Sequence, residues 1–398
     1  MVNVANNLVL IWSALALTSL TIQVPAVAIL LTRLVKGPGR YPPLVPVPSS
    51  PDTAGTVSII VPTLNEANRI TPCLQGLAQQ GHEVREIIIV DSYSQDGTPD
   101  LVKAAAQCDS RFRLINDDPL PADWVGRPWA LHNGFLHSSP DSHWILGIDA
   151  DTQPRPGLVA SIIHTAQQQQ YDLLSLAPQF ILKNLGEFWL QPSLLMTLVY
   201  RFGPSGTNSD PSRVMANGQC FLVRRSLLES LDGYSSARRS FCDDVTLARY
   251  AASQGAKVGF LDGRNLIQVR MYEGAMETWR EWGRSLDLKD ASTRAQIWGD
   301  IWFLLAVQGL PLPMLAISTT LLLLGYGNPV LLANVGLNSF LVLVRTLLLV
   351  AIAPAYDFTQ ARQSWTFWLS PLSDPLAWLR ITLSSLQTPK RWRGRQYQ

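Results

Sequence analysis

Cysteine is scarce in this chain: there are four in 398 residues, at Cys73, Cys108, Cys220 and Cys242. None stands in a Cys-x-x-Cys spacing, which excludes a zinc ribbon, and their scatter suggests no disulfide framework. Reduced cytosolic thiols fit that usage. Histidine is also sparse, with five residues and no pair at metal-ligand spacing. Charge is nearly balanced at a net +2, and no basic run occurs away from the flanks of apolar segments, so nucleic acid is not an expected partner. A P-loop lysine pattern and a Gly-x-Gly-x-x-Gly after a strand are both missing, which argues against an ATPase or a dinucleotide enzyme.

Apolar residues, by contrast, make up 47% of the chain and gather in blocks. A mean hydropathy of +0.11 argues against a wholly soluble protein. The first block, Leu8 to Leu31, is uncharged and exceeds the roughly 20 residues that cross a bilayer. No basic region precedes it and no clear small-residue cleavage site follows, so it reads as a transmembrane helix rather than a signal peptide. Arg33, Lys36 and Arg40 come next, which by the positive-inside rule puts the following segment in the cytoplasm. Ile301 to Leu324 and Pro329 to Ala353, separated by Gly325, Tyr326, Gly327 and Asn328, read as a transmembrane hairpin. Arg345 inside it is expected to face protein or snorkel. Trp365 to Leu386 carries Pro371, Asp374, Pro375 and Arg380. A fourth crossing there would put Lys390, Arg391, Arg393 and Arg395 outside. The expectation is therefore an interfacial helix with a basic tail on anionic headgroups, a fourth span being the alternative. The expected organisation is a transmembrane helix over 1–36, a proline-rich linker over 37–55, a cytoplasmic domain over 56–290, a transmembrane hairpin over 297–355 and the interfacial segment over 362–398.

The cytoplasmic domain opens strand, helix, strand, helix: Val57 to Val61, Asn68 to Gln80, Glu86 to Val90, Pro99 to Ala106. That alternation predicts an α/β fold with a mostly parallel sheet. Each strand ends in polar residues: Thr63, Asn65 and Glu66, then Asp91, Ser94 and Asp96, and later Asp149 and Asp151 at the end of WILGIDAD, Trp144 to Asp151. Standing alone, an Asp-x-Asp turn is ordinary turn chemistry. Repeated at neighbouring strand ends, the polar residues converge on the crevice where open α/β sheets bind ligands. A nucleotide suits it, with Asp91 accepting from a base or ribose hydroxyl and with Asp149 and Asp151 holding a divalent metal on a diphosphate. Asp243 and Asp244 open a further helical segment, where a plain N-cap is the other reading.

VSIIVPTLNE (Val57 to Glu66), IIIVDSYSQDGT (Ile87 to Thr98), GIDAD (Gly147 to Asp151) and DDVTLA (Asp243 to Ala248) resemble, in order, the motifs of family 2 inverting glycosyltransferases with the Rossmann-like GT-A fold. LPADWVGRPWALHNG, Leu120 to Gly134, is similar to the Trp-x-Gly-Lys-x-Trp-Ala segment of the membrane subgroup that acts on lipids, with Arg127 in place of lysine. The stretches SPLSDPLAWLR and KRWRGRQY resemble the tails of carotenoid- and hopanoid-associated members.

This resemblance implies donor-nucleotide contacts from Pro62, Thr63, Glu66, Asp91, Ser94, Arg127 and Asp149, a magnesium or manganese ion on Asp149 and Asp151, and Asp244 as base behind Asp243. It also implies diphosphate or acceptor contacts from Arg270, Trp279, Trp282 and Arg284, although tryptophans at i and i+3 also suit an interfacial belt. Leu185 to Phe202 is expected against the bilayer. The implied activity is transfer of one sugar from a nucleotide-sugar donor to a hydroxyl of a carotenoid, nearest a myxol-type 2'-hydroxyl, or of another lipid. A processive polysaccharide synthase is the nearest rival, weakened by the absence of Gln-x-x-Arg-Trp. A transporter or scaffold is the rival outside enzymes, weakened by spans nearly free of ionisable groups.

Overall fold

The computed structural model describes residues 2–35, 37, 40–203, 210–283, 286–361, 363–387, 391–392 and 395–396. Arg284 and, from the basic flanks, Lys36, Lys390 and Arg393 lie outside the described residues. Apolar, β-branched runs form the strands β1 (Val57–Thr63), β2 (Val84–Asp91), β3 (Phe112–Asn116), β4 (Trp144–Ile148), β5 (Thr152–Pro154), β6 (Leu173–Ala177), β7 (Gln179–Ile181), β8 (Cys220–Arg224), β9 (Val258–Asp262), β10 (Ile267–Val269) and β11 (Tyr356–Asp357). Between and around them lie the helices α1 (Val2–Leu34), α2 (Ile70–Ala78), α3 (Thr98–Cys108), α4 (Gly126–Leu136), α5 (Leu158–Gln168), α6 (Leu185–Phe202), α7 (Arg225–Ser230), α8 (Asp243–Ser253), α9 (Gly274–Glu277), α10 (Arg294–Leu304), α11 (Pro311–Leu323), α12 (Pro329–Ile352) and α13 (Asp374–Leu386).

The main sheet has seven strands in the order β3-β2-β1-β4-β8-β6-β9. All neighbours are parallel except β8, which runs antiparallel to both β4 and β6. Its strands read as continuous apolar runs because both faces are covered. Ile59, Val61, Ile87 and Leu146 face α2 and α5, while Ile60, Ile88, Val90 and Ile145 face α4 and α8. Gly134 lets α4 lie close on the sheet, since a Cβ there would run into Ile60. This is the mostly parallel α/β arrangement that the sequence predicts.

A second, four-stranded sheet, β11-β7-β10-β5, was not visible in the strand pattern. Its strands are two or three residues long, too short for a periodicity to show. β5 follows Asp151 directly, so this sheet steadies the chain just past the Asp-x-Asp turn.

Among the described residues, two helical stretches, Leu10–Leu34 and Pro329–Ala355, are long and apolar enough to cross a membrane. Arg294–Gly309 and Pro311–Leu323 are bent by 44° and make a third if counted as one span. At 13 residues α13 is about 20 Å long, short of a hydrocarbon core of about 30 Å. The segment expected against a bilayer, Leu185 to Phe202, is instead α6 inside the protein, with Phe188, Leu194 and Met196 fully buried and Ser193 hydrogen-bonded to the Ser370 carbonyl at 2.6 Å. The tail packs on it, so these buried residues meet protein.

Arg345 turns inward from α12. Its Nε and Nη2 donate to the two Asp374 oxygens at 2.7 and 3.1 Å, and Gln308 donates to Asp374 at 3.0 Å. The pair ties α13 to α12 away from water. Asp374→Ala is expected to destabilise the protein by about 3–5 kcal/mol, because it leaves the Arg345 charge buried without its carboxylate. Replacing both residues by apolar ones is expected to cost much less. Thermal melting of the detergent-purified variants measures both, and equal melting of Asp374→Ala and the parent would sink the assignment.

Candidate active site

The carboxyl ends of β1 and β4 and the amino end of α8 open onto a cavity of about 850 Å³. Of the residues expected at the site, Glu66, Arg127, Asp149, Asp151, Asp243, Asp244 and Trp282 line it. Arg127, in the first turn of α4, spans them. Its Nε donates to Asp149 Oδ1 at 2.9 Å, its Nη2 donates to the Gly218 carbonyl at 2.9 Å, and its Nη1 pairs with Asp243 Oδ2. Gly218 in turn donates its N–H to Asp244 Oδ2 at 2.7 Å. A Cβ on residue 218 would run into the guanidinium, so glycine is needed at that crossing. Burial works against the Arg127 charge, but Asp149, Asp243 and Asp244 outweigh it and hold the group firmly protonated.

The two acids of α8 differ. Neither caps the helix in the usual sense, since its N-cap position is Cys242 and no side chain accepts there. Asp243 is 4% exposed and committed to Arg127, whereas Asp244 is half-buried. Burial raises the Asp244 carboxyl above its ordinary range, against the pull of Arg127 and of the Val245 and Gly218 N–H groups.

Asp151 has the other distinctive environment. Burial, with the Asp149 charge beside it, pushes its carboxyl up. Its Oδ1 is buried with no hydrogen-bond partner among the described residues. A cation would satisfy both conditions. Among the described residues no group of three or more His, Cys, Asp or Glu side chains could hold a metal. That donor set fits an ion completed by phosphate oxygens and water rather than a closed protein site.

Other expected residues lie away from the cavity wall. Asp91 is 1% exposed, and its oxygens accept from Thr63 Oγ1 at 3.1 Å and from the Ser94 N–H at 2.8 Å. Ser94 Oγ accepts from the Asn65 N–H at 2.8 Å. These contacts knit the ends of β1 and β2 into a shared turn, with Pro62 in the strand behind it. Arg270 is turned to Glu187, which is fully buried, with bonds of 2.6 and 3.0 Å. Trp279 packs in the core between α6 and the tail, with Arg380 above its ring at 5.8 Å.

Sequence reasoning missed Arg69, Tyr272 and Glu277, all on the cavity wall. Arg69 donates to Glu277 Oε1 at 3.1 Å and to the Met271 carbonyl at 3.2 Å, joining the turn after β1 to α9. Its place three residues after Glu66 was the available signal. Gly218 carried none beyond a turn-prone Asn217-Gly218 pair.

A carboxylate-rich crevice at the strand ends of a mostly parallel sheet lies where open α/β domains bind their ligands. Residues 58–232 match the family Glycosyl transferase family 2. The chain is 24% identical over 247 residues to the 4,4'-diaponeurosporenoate glycosyltransferase of Staphylococcus haemolyticus (strain JCSC1435), covering 62% of this chain and 65% of that protein. It is 26% identical over 244 residues to the protein of the same name from Staphylococcus aureus (strain MRSA252), covering 61% and 63%. The match thus spans just under two thirds of the relatives' length. Among solved structures, the mannosyltransferase PcManGT from Pyrobaculum calidifontis, in complex with GDP-Man and Mn2+, is similar at 16% identity and a TM-score of 0.49 over 94% of this chain and 99% of that one. Glucosyl-3-phosphoglycerate synthase from Mycobacterium tuberculosis, in complex with Mn2+, UDP and glucosyl-3-phosphoglycerate, aligns at 18% identity and a TM-score of 0.38 over 55% and 73%.

Proposed function

We propose that this protein is a membrane-bound inverting glycosyltransferase that moves one sugar from a nucleotide-sugar donor to a hydroxyl of a hydrophobic acceptor, a carotenoid or another isoprenoid lipid. The observation that carries the reading is the Arg127 bridge, which sets Asp149 and the Asp243–Asp244 pair around one cavity. Asp244 takes the proton of the acceptor hydroxyl as that oxygen bonds to the anomeric carbon and the bond from that carbon to the diphosphate breaks, releasing the nucleoside diphosphate. A raised carboxyl pKa suits a base working near neutral pH. Asp149 and Asp151 would hold a magnesium or manganese ion, which when bound neutralises the departing diphosphate. Glu66 and the turn built on Asp91 and Ser94 shape the nucleotide end.

Arg127 acts as a positioning residue rather than a free phosphate ligand, because each of its three nitrogens already donates to Asp149, Asp243 or Gly218. Lysine keeps the charge but not the planar fork. Arg127→Lys is therefore expected to lower kcat by about 10–100-fold with a smaller change in donor KM. A rise in donor KM alone would return Arg127 to phosphate binding.

The domain faces the cytoplasm on the positive-inside reading of Arg33, Lys36 and Arg40. Trp365, Trp368, Leu372 and Leu379 are exposed, as befits a tail lying in the interface. Membranes from expressing cells, given labelled nucleotide sugars, test the function. Label in a discrete lipid band is expected. Label in polymer would favour a synthase, and no transfer from any donor would sink the proposal.

A further inference from the structure

A second cavity, of about 780 Å³, lies where the catalytic domain meets the membrane helices. Its volume is in the range of sites that enclose a small molecule, roughly 300–1,000 Å³. Leu30 and Leu34 of α1, Leu348 and Ile352 of α12, and Val199 of α6 contribute apolar walls, and Val258 marks the sheet edge. Leu198, Met215, Ala216, Asn217, Met271 and Trp282 line both cavities. The strip Met215–Asn217 is thus a shared wall, and the next residue, Gly218, holds Asp244 through its N–H.

Three arginines also reach this cavity, and each has a partner. Arg33 donates to the Tyr200 carbonyl at 2.6 Å, Arg40 pairs with Asp262 at 3.4 Å and Arg213 pairs with Asp300 at 2.8 Å. Asp262 and Asp300 neutralise two of these charges, Lys257 at the rim is turned to the Gln169 carbonyl, and the rest of the lining is mostly apolar. The cavity runs from transmembrane helices at one side to the wall beside Asp244 at the other.

We infer that this second cavity receives the long neutral hydrocarbon chain of the acceptor, whose hydroxyl end passes Trp282 and Met271 into the catalytic cavity. The inference rests on the glycosyltransferase reading for the acceptor's fate, but the chain-binding site stands on its own geometry. It assigns Val199 and Ala256 to chain binding, since both line the second cavity and not the first.

Val199→Trp and Ala256→Trp, made separately, fill the cavity from different walls. Each is expected to lower transfer to a polyisoprenoid alcohol by about tenfold or more, while transfer to hexanol, which ends inside the catalytic cavity, stays within about twofold. A second measurement needs neither variant nor turnover: a polyisoprenoid alcohol bearing a diazirine at the end remote from its hydroxyl is photolysed with the wild-type protein in nanodiscs. Label is expected on the segments around Val199, Val258 and Ile352. Unchanged transfer to the long alcohol in both variants, or label confined to outward residues such as Leu17 and Leu343, would overturn the inference. Label on the cavity walls of a protein that transfers no sugar would support the binding site and overturn the proposed function instead.

Discussion

Asp244→Asn is expected to bind donor as the parent does and to lose turnover by about 10²–10⁴-fold, the contribution of a positioned general base. The two acids at the start of α8 have different surroundings. Asp243 is buried and spends an oxygen on Arg127, while Asp244 is more open to the cavity and is held by the Gly218 and Val245 N–H groups at 2.7 and 2.9 Å. An amide keeps the size and can still accept from one N–H, so folding and donor affinity should survive. Single-turnover transfer, with donor binding measured separately by calorimetry, isolates the chemical step. Intact turnover in this variant would remove Asp244 as base. Asp243→Asn is a less clean comparison, because it also takes a carboxylate from Arg127.

Asp151→Asn is expected to reduce transfer by about 10²–10³-fold, the usual effect of removing one electrostatic contact to developing charge, and to weaken manganese-dependent binding of nucleoside diphosphate. Its Oδ1 is buried and without a hydrogen-bond partner among the described residues, a position that a bound cation would complete. The neutral variant should fold at least as well as the parent, since the native group is a buried acid whose charge burial disfavours. Manganese titration of diphosphate binding separates this outcome from general damage. Wild-type turnover with unchanged manganese dependence would sink the metal assignment.

Much of the catalytic framework was legible because its signals are local. Apolar runs ending in Thr63, Asp91 and Asp149 mark strand ends, and strand ends of a parallel sheet share one crevice. What local pattern cannot show is where a long side chain spends its hydrogen bonds. Arg270 and Arg127 are both arginines in suggestive segments, yet one is turned to the buried Glu187 and the other to three partners at the cavity. Burial of Asp91 behind its own turn was equally invisible, since an exposed and a buried aspartate read alike at a strand end. The apolar character of Leu185 to Phe202 fitted a lipid contact as well as a protein one, and only the wrapping of the tail decides between them. β5, β7, β10 and β11 were beyond reach because their partners are distant in sequence.

β11 comes from the chain beyond α12, yet it pairs with β7, which pairs with β10, which pairs with β5 next to Asp151. A ribosome delivers Asp151 more than half a chain length before it delivers Tyr356. The small sheet that steadies the Asp-x-Asp turn is therefore complete only after the last long apolar helix has been made. The turn that carries Asp149 and Asp151 thus draws support from a strand that lies beyond α12 in the chain.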